Sequence, residues 1–186
     1  MTAAADALGV VRLAAAIVLP GSLARATQGE ARWLPALLFA VAAATDFLDG
    51  VVARRGRGAT RHGALLDNVA DVAFVLAGTA MGARLGYVTP IVPLAIGGAV
   101  AAYATASLRG RAMARSAVGH AAGVLNYALV GLVAGAVAMP WRGWPTVLAL
   151  GGWIVVAVNA AAVLERIVTG RSRAVRGARG SPERRL

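Results

Sequence analysis

Six apolar runs, at about 7–24, 33–54, 64–85, 88–108, 118–139 and 143–165, take up most of the chain. Each is close to the roughly 20 residues that a helix needs to cross a bilayer. With 59% hydrophobic residues and a mean hydropathy of +0.69, composition decides the class before length does. The expectation is an all-α polytopic membrane protein, a six-transmembrane-helix bundle over 1–168. The tail, 169–186, is rich in Arg and Gly and too poor in apolar residues to bury a core, so it is expected to be disordered at a lipid surface. Gly78/Gly82, Gly119/Gly123 and Gly131/Gly135 have the spacing that lets helices approach closely.

The net charge of +11 comes entirely from arginine, since the chain has no lysine. In a soluble protein a pI near 11.8 would suggest nucleic acid. Between membrane segments it reads instead as topology, with no nucleic-acid partner. Fourteen arginines fall on one side: Arg54, Arg55, Arg57 and Arg61 between runs 2 and 3, Arg109, Arg111 and Arg115 between runs 4 and 5, and Arg166 with the six of the tail after run 6. Four, Arg25, Arg32, Arg84 and Arg142, fall on the other, and Arg12 interrupts the first run. Both termini are therefore expected in the cytoplasm. Residues 18–26 have some character of a signal-peptide cleavage site, but Asp6 and Arg12 argue for a retained helix. Without cysteine, and with two histidines, thiolate sites are excluded and zinc is disfavoured, so any metal would be held by oxygen.

Half of the eight acidic residues lie in one stretch, as Asp46, Asp49, Asp67 and Asp71. An Asp near the centre of a membrane helix costs roughly 2.5–3.5 kcal/mol on insertion scales, so four cost about 10 kcal/mol without compensation. Spacings of three and four residues put each pair on one face of its helix, and two antiparallel helices would point all four into one space. From Trp33, an expected interface residue, Asp46 is 13 residues on, roughly 20 Å along a helix, which puts the cluster in the cytoplasmic half of the membrane. Two divalent ions would offset four carboxylates, and all-oxygen ligands suit Mg²⁺, Mn²⁺ or Ca²⁺. Such a pair commonly serves displacement at phosphorus. Nearby, Gly50 and Gly63 permit close approach, Arg54 offers a fork of donors to phosphate, and Thr60 offers a hydroxyl.

The pattern Asp46-x2-Asp49-Gly50-x2-Ala53-Arg54-x8-Gly63-x3-Asp67-x3-Asp71 resembles, at all eight fixed positions and every spacing, the signature of the CDP-alcohol phosphotransferases. The resemblance implies an integral-membrane enzyme that displaces CMP from a CDP-linked alcohol, usually CDP-diacylglycerol, with the hydroxyl of a second alcohol. It implies Asp46, Asp49, Asp67 and Asp71 as ligands of two Mg²⁺ or Mn²⁺ ions, with Asp71 also the base for the acceptor hydroxyl. It further implies that Gly50, Ala53, Arg54, Thr60 and Gly63 form the CDP-alcohol site, and that the protein is a homodimer. A metal-ligated Asp71 is a weak base by itself, a difficulty eased because a cation also acidifies the hydroxyl.

Two departures bear on substrate. Many members begin with Pro-Asn-x-x-Thr-x-x-Arg in the first helix; here Arg12 fits, but Ala5, Asp6 and Gly9 replace the other three. A common Gly-Lys pair near the start of helix 5 is Gly119-His120 here. Arg109, Arg111, Arg115 and His120 are the candidate acceptor site, suited to a phosphorylated alcohol such as glycerol 3-phosphate or inositol phosphate. Serine, phosphatidylglycerol and a non-lipid CDP-alcohol donor remain alternatives within the family. A cation transporter is the alternative outside it, disfavoured because the carboxylates share one depth beside arginines.

Overall fold

The computed structural model describes residues 2–55, 61–108 and 116–179, with side chains over 7–48, 67–108 and 116–168. Its regular structure is all helical: α1 (Thr2–Thr27), α2 (Leu34–Arg55), α3 (Arg61–Arg84), α4 (Ile91–Leu108), α5 (Ala117–Ala138) and α6 (Trp144–Arg179). The six expected segments are these six helices. α6 continues past residue 168 and carries the first part of the arginine-rich tail as helix, while 180–186 lie outside the described residues.

Local chemistry marks several helix ends. α2, α4 and α6 each carry a proline within the first turn (Pro35, Pro93, Pro145), where a missing N–H breaks no helical bond. α1 and α3 close with the same device. Gly29 (φ 93°) and Gly86 (φ 79°) take the left-handed conformation, and the N–H of the following residue reaches back to the carbonyl of Arg25 or Gly82. Ser116 caps α5 by accepting from the Gly119 N–H at 3.1 Å.

Ala7–Thr27, Ile91–Leu108, Ala117–Ala138 and Trp144–Val168 are long and apolar enough to cross a membrane, and α2 adds a shorter apolar stretch, Leu34–Leu48. The chain is thus a polytopic helical membrane bundle. The aspartates lie on the other two helices, α2 and α3.

α3 lies between α1 and α5, with α2 beside α1 and α5, and with α4 and α6 packed together on the outside. Arg12, Ala15, Ala16, Leu19, Leu23 and Ala26 form the buried stripe of α1. Two glycines allow the approach. A Cβ on Gly78 would lie 2.7 Å from Val130 Cγ1, and one on Gly131 would lie 2.6 Å from Cζ of Phe39. Gly123, by contrast, faces open space, so its expected close packing is not found. Between α5 and α6, Asn126 and Asn159 bond reciprocally, with Asn159 Nδ2 donating to Asn126 Oδ1 at 2.7 Å, as expected of interhelical pairs.

Because the Phe39 ring occupies the space beside Gly131, Gly131→Leu is expected to overpack the α2–α5 contact and destabilise the bundle by about 1–3 kcal/mol. Unfolding of purified variant and parent in one detergent measures this; equal stability would show that the contact is loose.

Candidate active site

Arg12 is the only charged side chain among the buried described residues, with 0% exposure, and its partners define the site. Nη1 donates to Asp67 Oδ1 at 2.6 Å and to Asp71 Oδ1 at 2.7 Å, while Nη2 lies 3.8 Å from Asp46 Oδ1. One guanidinium from α1 thus draws together carboxylates from α2 and α3. Helical spacing explains the convergence: Asp67 and Asp71 are one turn apart and reach the same nitrogen. The charge-assisted bonds are short, as expected where donor and acceptor are both ionised.

The cluster is buried on one side and open on the other. Asp46 is 58% exposed, Asp67 39% and Asp71 36%, although Arg12 between them is sealed. Beneath it lies an aromatic layer. Tyr127 of α5 stacks on Phe74 of α3 with centroids 5.3 Å apart and meets Phe39 of α2 at 5.5 Å. Phe74 is three residues beyond Asp71, and Phe39 seven before Asp46, so each ring shares a helix face with its aspartate.

Of the remaining expected residues, Asp49, Gly50, Ala53 and Arg54 belong to the last turns of α2 and Gly63 to the first turn of α3. Their side chains, with Thr60, Arg109, Arg111 and Arg115, lie outside the described residues. The motif lies on α2 and α3, each packed on α1, with Arg12 between Asp46 on one and Asp67 and Asp71 on the other. His120 is exposed near the start of α5. At that end of the bundle Glu165 accepts from Ser116, and Arg166 stacks over Tyr103 at 4.8 Å, so Glu165 is tied to the α5 cap.

In the sequence Arg12 stands out as an interruption of an apolar run and as the one match to the family's first-helix pattern, but its partner is not marked, and Tyr127 does not stand out. A signal for Arg12 was available, since a lone arginine within a membrane segment needs a counter-charge and the aspartates offer it. For Tyr127 there was none, because a tyrosine in an apolar helix is ordinary.

Among the described residues no three carboxylate or imidazole groups form a ready metal cage, and Asp46, Asp67 and Asp71 face Arg12. Even so, the donor set is all oxygen, it gathers around a cation, and it is open on the Asp46 side. That chemistry fits hard divalent ions.

Fold and site together define a helical membrane protein with a carboxylate centre. A sequence model of the family described as CDP-alcohol phosphatidyltransferase matches residues 2–165, and the chain belongs to that family. Over 47 residues it is 51% identical to the CDP-diacylglycerol--glycerol-3-phosphate 3-phosphatidyltransferase of Sodalis glossinidius (strain morsitans), covering 24% of this chain and 26% of that protein. Over 46 residues it is 54% identical to the protein of the same name from Escherichia coli (strain K12), covering 23% and 25%. These matches span about a quarter of the curated relatives. No solved structure matches.

Replacing Arg12 by Leu leaves the converging carboxylates without their counter-charge. Removing one partner of a buried pair costs roughly 3–5 kcal/mol, and the partial exposure of the aspartates argues for the low end, about 3 kcal/mol. Arg12→Lys should be intermediate, since a point charge cannot reproduce the fork. Denaturant unfolding in EDTA tests this; parent-like stability of Arg12→Leu would show that the pairing carries no weight.

Proposed function

We propose that the chain is a membrane phosphatidyltransferase that transfers the phosphatidyl group of CDP-diacylglycerol to a small polar alcohol and releases CMP. The observation that carries the reading is the convergence of Asp46, Asp67 and Asp71 on one cation position inside the bundle of a chain belonging to this family. Carboxylates strung along the bundle would suit an ion path; carboxylates gathered at one depth suit a reaction centre.

Asp46, Asp49, Asp67 and Asp71 would hold two divalent ions, Mg²⁺ or Mn²⁺, in keeping with the general metal dependence of the family. Bound there, the ions would neutralise charge on the attacking and leaving oxygens. The chain's own residues do the rest. Gly50, Ala53, Arg54, Thr60 and Gly63, bracketing the α2–α3 connection, form the CDP side of the site. Asp71 takes the proton of the acceptor hydroxyl as its oxygen attacks the phosphorus that bears diacylglycerol. The phosphoanhydride bond breaks, and CMP leaves with the bonding electrons. Arg12, held by Asp67 and Asp71, keeps the α3 pair aimed at that centre.

For the acceptor, we favour glycerol 3-phosphate. Support comes from the names of the relatives matched over a quarter of their length, and from Arg109, Arg111, Arg115 and His120, whose charge suits a phosphorylated alcohol. The arginine distribution supports a cytoplasmic site and cytoplasmic termini, and the family resemblance supports a homodimer in the bilayer.

Purified protein given labelled CDP-diacylglycerol should release CMP with glycerol 3-phosphate, but not with serine, free inositol or phosphatidylglycerol, and EDTA should abolish release. Asp71→Asn should lower turnover at least 100-fold, within the usual range for a general base. Release with another acceptor would reassign the substrate, and turnover by Asp71→Asn at the parent rate would remove the base role.

A further inference from the structure

Buried hydroxyls in this bundle are otherwise satisfied within their own helices. Ser22, Thr45 and Thr79 donate to the carbonyls of Leu19, Ala42 and Val75 at 2.7, 2.8 and 2.7 Å. Tyr127 is the exception. Its phenolic oxygen is shut off from solvent and has no hydrogen-bond partner, the one such hydroxyl among the described residues. A buried polar group without a partner carries an uncompensated desolvation cost. Packing gives no reason to keep it, because the contacts of the ring with Phe74 and Phe39 would be made equally well by phenylalanine.

Position supplies a reason. The ring lies in the aromatic layer under the carboxylate cluster, against Phe74, three residues from Asp71, and Phe39, seven residues from Asp46. Phe74 and Phe39 lie toward the far ends of their helices relative to Asp71 and Asp46, so Tyr127 forms the floor of the site on the side of the bilayer interior. Ionised carboxylates only accept hydrogen bonds, and Arg12 already donates to two of them. A phosphate oxygen arriving at the floor therefore needs a donor from elsewhere, and the phenol is a neutral one.

We infer that Tyr127 contacts substrate, its hydroxyl donating a hydrogen bond to a non-bridging oxygen of the lipid-linked phosphate of the CDP-linked donor. The assignment rests on the phosphatidyltransferase reading. It places the lipid-bearing phosphate against the floor, with the nucleotide toward the open, Asp46 side.

Parent and Tyr127→Phe, purified in the same detergent, should be compared in thermal unfolding, in CDP-diacylglycerol-induced stabilisation, and in CMP release with donor and acceptor varied separately. The expected result is unchanged or raised thermal stability, a kcat/KM for CDP-diacylglycerol lower by roughly 10-fold or more, as for loss of a hydrogen bond to a charged group, and an unchanged KM for the acceptor. A parent-like kcat/KM would overturn the assignment. So would a loss of activity that accompanies a fall in thermal stability, or one confined to acceptor KM. If the parent protein neither binds nor turns over CDP-diacylglycerol, the functional reading itself fails and takes this assignment with it.

Discussion

A guanidinium withdrawn from water must be surrounded by acceptors, and in this bundle the acceptors are carboxylates of two other helices. That demand brings both α2 and α3 against α1 at the level of Arg12. Each partner solves the other's problem. The aspartates offset the charge of the arginine, and the arginine lets like-charged carboxylates gather in a small volume. Such a pairing is weak evidence for extra stability, since desolvation opposes the Coulombic gain. What it supplies is register: slipping α1 by one residue against α3 would turn Arg12 away from both acceptors.

The remaining packing is compatible with that register because small residues line it. Ala15 and Ala16 follow Arg12 on the buried stripe of α1, and Gly78 lets α3 sit close to Leu19 and Val130. Phe39, Phe74 and Tyr127 then close the cluster from below with an apolar layer that excludes water. Charge above and rings below give the site a wet side and a dry side.

Much of the fold was legible because the membrane leaves few options. Apolar runs of spanning length mark all six helices to within five residues, except the C-terminal end of α6. There, arginine-rich composition suggested disorder, yet arginine is also a good helix former, and α6 runs on to Arg179. Asp67 and Asp71 were legible as a pair because helical periodicity alone puts them on one face. The Glu165 bond to Ser116 was not, since it joins residues that lie close only once α5 and α6 are packed.

By itself, then, the sequence determined the class of protein, the helices and the carboxylate motif, all of which depend on composition or on spacing within one or two neighbouring helices. Only tertiary structure decided that Arg12 is the partner of the aspartates and that Tyr127 is beneath them. These residues come from α1 and α5, separated in the chain from the motif they complete. Contacts between distant helices depend on which faces meet, and that is set by packing and burial of the whole bundle rather than by any local pattern.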